Sequence, residues 1–187
     1  MLFASAALGA LTWPLVEYLM HRFNGHEQKG KTRFSREHLA HHADPSRFTP
    51  TSVKVQMALA VVVPLLALTG WWLGAVGVAF TIGFTAMYGT YEWLHRHLHT
   101  HPPRTDFGRW ARRHHFHHHF NAPNLNHGVT TALWDRVFGT LAPVEMVRVP
   151  RRHAPLWMVD ETGELRPEYR DSYRLAGRVR SSRMEVA

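Results

Sequence analysis

No Asp, Glu, Lys or Arg occurs between Val55 and Thr90, a run of 36 residues. As a single helix it would reach ~54 Å at ~1.5 Å per residue, whereas a bilayer core is ~30 Å thick and takes ~20 residues per crossing. The run is too long for one crossing and fits two, with Ser52–Val53 and Trp93–Leu94 completing the ends. The turn is predicted near Thr69–Gly70–Trp71–Trp72, where glycine can bend the chain and paired tryptophans suit a membrane–water interface. A buried hairpin in a soluble bundle is the plain alternative, but helices there usually carry a polar face.

Met1–Val16 is also free of charge, and Glu17 is the first ionisable side chain. No basic residue precedes this segment and no small-residue cleavage site follows it, so a third membrane helix is expected rather than a signal peptide. Every Lys and Arg lies in Arg22–Lys54 or from Arg96 onward. The positive-inside rule places both basic blocks in the cytoplasm and leaves the turn and Met1 outside. The formal charge of +8 follows from that rule and from attraction to anionic headgroups. No recognition motif accompanies the charge, so no nucleic-acid partner is expected.

Between the apolar blocks lie 16 histidines and no cysteine. The absence of cysteine excludes a disulfide framework, thiolate zinc sites, iron–sulfur clusters held by this chain and cysteine nucleophiles. All histidines but His153 fall in three windows, His21–His42, His95–His101 and His114–His127. His38, His41 and His42 stand at i, i+3 and i+4, on one face of a helix, and His115, His118 and His119 repeat the pattern. His95 and His99 are an i, i+4 pair. His21 and His26 are five apart, ~140° around an α-helix, so they share a site only if the helix ends near Asn24–Gly25.

These are ten imidazoles, more than one zinc takes, and they point to two metals. Neutral imidazole serves Fe, Zn, Cu and Ni, so residue type does not choose among them. A loose metal sink would show contiguous or random spacing instead. H-E-x-x-H is absent, which leaves a zincin-type hydrolase unsupported. Imidazoles also dominate where a ferritin-like bundle would need Glu-x-x-His pairs.

The chain resembles the fatty acid hydroxylase and sterol desaturase superfamily of integral-membrane, histidine-rich diiron oxygenases. The matching pieces are Glu17-Tyr18-x-x-His21-Arg22-Phe23-x-x-His26, His38-x-x-His41-His42, Tyr91-Glu92-x-x-His95-x-x-x-His99 and Arg113-His114-His115-x-x-His118-His119-Phe120. A closing element, Gly128-Val129-Thr130-Thr131-Ala132-Leu133-Trp134-Asp135-Arg136-Val137-Phe138-Gly139-Thr140, follows the last box.

The resemblance implies that His21, His26, His38, His41, His42, His95, His99, His115, His118 and His119 hold two iron ions, with no catalytic side chain beyond the metal centre. His114, His117 and His118 fit the last box one residue earlier. The later register is preferred for its spacing to Gly128. The implied reaction hydroxylates or desaturates a fatty acyl chain, sterol or carotenoid. O2 is the co-substrate, and electrons come from a cytochrome b5-like protein or a ferredoxin and its reductase. Zinc is able to occupy the same positions in purified protein. A non-redox membrane metal-binding protein or zinc-dependent hydrolase is the alternative.

The expected fold is all-α: an integral-membrane helical bundle of about three membrane helices with a histidine-rich helical cap. The cap faces the cytoplasm from the inner, cytoplasmic membrane. Residues 1–145 form the membrane-embedded catalytic domain, and 146–187 a basic cytoplasmic tail, packed on the cap or partly disordered. Glu17, Glu37, Glu92 and Asp135 are candidate partners for the second nitrogens of the metal-binding rings. His97, His101 and His153 are expected to lie off the site, and His127 beside it or on the surface.

Overall fold

The computed structural model describes residues 1–177. The chain is mostly helical, at 63%. Its first helix, α1 (Leu2–Leu19), runs without a break into a π-helical segment, Met20–Glu27. A short helix, α2 (Arg33–Ala43), starts where the Thr32 hydroxyl accepts the Ser35 N–H at 3.0 Å. Two long helices, α3 (Thr51–Leu73) and α4 (Ala75–Thr100), form a hairpin, followed by α5 (Asp106–Phe120) and one turn of helix, α6 (Leu133–Val137).

The hairpin turns at Gly74, a few residues after the predicted Thr69–Trp72 stretch. Trp71 and Trp72 remain helical, and the reversal waits for Gly74, whose φ of 56° strains any residue with a Cβ. Two helical stretches are long and apolar enough to cross a bilayer, Leu2–Glu27 at mean hydropathy 1.3 and Thr51–Leu73 at 1.9. Not one side chain of α3 is buried, although the helix is almost wholly apolar. Water is a poor solvent for such a surface, and lipid is a good one.

Helices α1 and α4 run parallel and meet through glycines. A Cβ on Gly9 would fall 2.0 Å from the Phe80 carbonyl oxygen, and one on Gly83 would fall 1.8 Å from that of Ala6. Close backbone approach through small residues is how helices associate where no hydrophobic effect drives them together. One turn above, Trp13 packs its ring on Phe84, Tyr88 and Tyr91, at centroid distances of 5.3, 4.9 and 5.6 Å. This contact fixes the heights of α1 and α4, and histidines lie on the upper end of α4 and on the π-helical continuation of α1.

Beyond the cap the chain departs from an all-α fold. Strands β1 (Val147–Pro150) and β2 (Tyr173–Ala176) pair in parallel, Val147 opposite Tyr173. Val147, Val149, Met158, Leu165 and Tyr173 bury themselves against Phe116 of α5. The chain from Val147 to Tyr173 is therefore folded onto α5, and residues 178–187 lie outside the described residues. Its apolar residues occupy two four-residue strands and isolated loop positions, a distribution without the sustained period that marks a helix or strand.

Candidate metal centre

The ten imidazoles singled out by spacing lie in two groups of five. His21, His26, His38, His42 and His118 form one, and His41, His95, His99, His115 and His119 the other; within each, one ring nitrogen per residue lies within 4.8 Å of all the others. The two H-x-x-H-H helices divide their side chains in complementary fashion. Helix α2 gives His38 and His42 to the first group and His41 to the second, while α5 gives His118 to the first and His115 and His119 to the second. The groups touch where the His42 and His119 rings stack at 4.1 Å.

The remaining four rings come from the end of α4 and from the π-helical segment that continues α1. His95 and His99 follow one another on the last turns of α4. His21 and His26 meet differently from expectation: the helix widens instead of ending at Asn24–Gly25. In a π-helix hydrogen bonds join residues five apart, so His21 and His26 come to the same side, their ring centroids 5.3 Å apart. Gly25 leaves room beside them, since a Cβ there would press on the His38 ring at 3.0 Å.

Nitrogens converge within each group at hydrogen-bond distance. His26 Nε2 lies 2.9 Å from that of His38 and 3.0 Å from that of His118; His42 Nε2 is 3.2 Å from His118 Nε2. In the second group His41 Nε2 is 3.1 Å from His95 Nε2 and 3.2 Å from His99 Nε2, which lies 2.9 Å from His115 Nε2. Backbone carbonyls fix the tautomer of three of the rings. His118 Nδ1–H donates to the Leu125 carbonyl at 2.7 Å, His41 Nδ1–H to Arg47 at 2.8 Å and His21 Nδ1–H to His127. Each of those rings then presents a bare lone pair at Nε2. The Nε2 atoms of His21 and His119 are buried without any partner. One unpartnered buried nitrogen in each group, among five ring nitrogens that converge within 4.8 Å, is what a cation satisfies, so the donor set fits two metal ions.

Electrostatics favours the neutral, ligating form. Burial and then neighbouring imidazoles hold His38, His115, His118 and His119 well below the ordinary histidine range. Burial takes His41 down to about 4 and, with the adjacent rings, His42 to about 2.

Backbone carbonyls, rather than carboxylates, orient these rings. Glu17 accepts from the backbone N–H groups of Val129 and Thr130 and from the Thr130 hydroxyl. Asp135 accepts from the N–H groups of His127 and Gly128 and from the Thr140 hydroxyl, each at 2.8 Å. Burial alone would raise the Asp135 carboxyl, but His114 and these donors outweigh it and hold the carboxyl below the usual range. Together the two carboxylates clamp the 125–130 loop, which supplies the carbonyls that orient His21 and His118. Glu92 instead pairs with Lys54, and Glu37 with Arg47. Asp135 does meet an imidazole, but that of His114, at 3.3 Å and outside both groups.

His97 and His101 stack on each other at 4.4 Å off the site, and His153 lies against Phe120. His117 is also outside both groups, its Nδ1 3.4 Å from the Asn126 amide. Of the two positions open to His127, beside the site or on the surface, the structure takes the first, and one feature, Arg112, escaped the spacing argument. His127 is buried against the His118, His21 and His26 rings at 5.1, 5.5 and 5.6 Å. Arg112, also buried, fastens α5 to the end of α4 by donating to the carbonyls of His97 and His101. An Asn-His-Gly sequence is a turn signal, and Asn126 indeed adopts a φ of 58°.

Residues 6–140 match the family model for fatty acid hydroxylase. The chain belongs to the fatty acid hydroxylase family. A dihydroceramide fatty acyl 2-hydroxylase of Arabidopsis thaliana is 32% identical over 149 residues, covering 74% of this chain and 61% of the plant protein. The fatty acid 2-hydroxylase of Rattus norvegicus is 33% identical over 150 residues, covering 74% of this chain and 39% of its own length. A solved structure, full-length Scs7p with only the hydroxylase domain visible, superposes with a TM-score of 0.60 at 26% identity, over 75% of this chain and 57% of that one. This fatty acid hydroxylase family member thus spans less than two thirds of these relatives' lengths.

Below the first group of imidazoles lies a cavity of about 130 Å³, between α1, α3 and α4. Its lower walls are apolar, among them Trp13, Val16, Met57, Val61 and Phe84, and its roof includes Glu17, His21 and Glu92. A smaller space of about 50 Å³ shares Phe34, Met57, Tyr91 and Glu92 with it and is lined by His38, His41 and His95.

Proposed function

We propose that the protein hydroxylates a fatty acyl chain of a membrane lipid, using O2 and electrons from an external carrier. The observation that carries this reading is the roof of the apolar cavity: His21 belongs both to the cavity wall and to a five-imidazole group. No protein side chain attacks an unactivated C–H bond, and a pair of iron ions at the two groups supplies the oxygen chemistry that such a bond requires. All ten histidines hold the metals, and none acts as acid or base. Trp13, Val16, Met57, Val61 and Phe84 seat the apolar chain and keep water from the carbon beneath His21. The 125–130 loop fixes the angle at which His21 and His118 face the site.

The names of the plant and rat relatives support an acyl substrate and hydroxylation over desaturation. Helices α1, α3 and α4 are read as three membrane helices, with residues 1–145 as the catalytic unit and the following segment as a cover. Since Arg22–Lys54 and everything from Arg96 gather at one end, that end faces the cytoplasm. Lipid profiling of cells with and without the protein tests the reaction. Lipids heavier by one oxygen atom are expected to appear with the protein, and to vanish with His115→Ala. Loss of two hydrogens would mean desaturation, and an unchanged profile would remove the proposal.

A further inference from the structure

The second imidazole group also meets a groove separate from the apolar cavity. A groove of about 400 Å³ is lined by His99 together with Arg96, Arg152, His153, Leu156 and Trp157. It surrounds Thr100, which is eight residues, or ~12 Å, up α4 from the Lys54–Glu92 pair at the top of the apolar cavity. The groove therefore opens to water, away from lipid. Leu156 stands at its rim, 88% exposed, an apolar side chain with no bilayer to cover it. Arg96 and Arg152 are exposed and have no carboxylate partner among the described residues. The one carboxylate in the groove, Asp44, is engaged by the Ser46 hydroxyl and N–H.

The floor leads straight to the site. Trp157 Nε1–H donates to the backbone carbonyl of His99 at 3.1 Å. The ring of Phe116 bridges the same two residues, 6.2 Å from Trp157 and 5.3 Å from His99. A larger basic groove, near Arg113 and Arg136, touches no imidazole of either group.

We infer that the groove at Arg96, Arg152 and Leu156 is the docking surface for an acidic one-electron carrier protein, with Trp157 as the conduit to His99. This rests on the proposed hydroxylation and names its electron partner. The balance requires such a partner: one oxygen atom of O2 enters the C–H bond, the other leaves as water, and two electrons and two protons are consumed. The arginines steer an acidic surface, Leu156 supplies a small apolar anchor, and the arrangement predicts association that weakens as salt rises.

The test measures binding to the full chain in nanodiscs, metal-free and metal-loaded, with the soluble haem domain of a cytochrome b5 and a plant-type ferredoxin as probes. One probe is expected to bind in both forms at low ionic strength, and to lose about tenfold or more in affinity with the Arg96→Glu, Arg152→Glu double variant. Leu156→Ser should weaken it less. Reversing Arg113 and Arg136 should weaken it least. Equal losses from the two basic grooves, or no binding of either probe at low salt, would overturn the assignment. Because metal-free protein is included, a failed hydroxylase reading shows as absent product with chemical reductant and leaves the binding result interpretable. Trp157→Leu is expected to slow reduction of the metal-loaded protein by the carrier when compared at saturating carrier, where any difference in affinity drops out. Unchanged reduction would remove the conduit.

Discussion

The two five-imidazole groups are built from the same residue type yet supported in different ways. The second takes four of its five rings from successive turns of α4 and α5, helices tied together by the buried Arg112. The first depends on a π-helical segment and on a loop: His21 and His118 are oriented by carbonyls of residues 127 and 125. Two buried carboxylates, Glu17 and Asp135, hold that loop through its N–H groups. One group is thus stiffened by helix geometry, the other by a clamp of two buried carboxyl groups. The difference teaches where a metal held by each group would be vulnerable.

The largest effect should come from removing a ring from the first group. His118→Ala is expected to lose the metal of that group and to cut product by more than ~100-fold, beyond what loss of an orienting partner costs. Metal analysis beside lipid profiling checks both together. Asp135→Asn comes next. It leaves every imidazole in place but replaces an acceptor with a donor opposite the loop N–H groups, so affinity at the first group should fall about 10–100-fold while the second keeps its metal. Equal loss from both groups would erase the distinction drawn above.

Acid provides a smaller, graded test. Unfolded, these rings titrate near 6.5; folded, His41 titrates at about 4 and His42 at about 2. Above pH ~6.5 both states are neutral and stability is flat. Below it the unfolded chain takes up protons that the folded chain refuses, so stability falls until the folded values are reached, by ~1.4 kcal/mol per pH unit for each such ring. Thermal unfolding of metal-free protein in detergent between pH 7.5 and 4.5 (roughly the window set by these values) reads that slope, and His42→Ala should reduce it. The smallest effect belongs to His153→Ala. That ring lies on Phe120 outside both groups, and its loss should leave metal content unchanged.

Much of this was legible in the sequence because histidines three and four residues apart must share a helix face. The spacing at His38–His42 and His115–His119 picked out the rings that converge. It could not say that each triplet divides between two groups, since that depends on how α2 faces α5. Nor was the π-helical widening at His21–His26 visible: its i, i+5 spacing on an α-helix argues against a shared site, and tertiary packing overrides it. The oriented carbonyls left no trace, because a backbone oxygen has no residue code. Instead, acidic residues near the boxes drew attention, and they proved to hold the loop or pair with Lys54 and Arg47. The turn at Gly74 was displaced from Gly70 because an apolar helix end has no charge to mark it. The small sheet went unseen because four-residue strands carry almost no periodic signal.

The central claim is that these ten rings hold two metal ions side by side, one per group. Anomalous diffraction at the iron edge, from protein purified without oxygen or added zinc, addresses it directly. Two peaks per chain are expected, one within the group containing His21 and His118 and one within the group containing His99 and His115. A single peak, or metal bound outside both groups, would contradict the account.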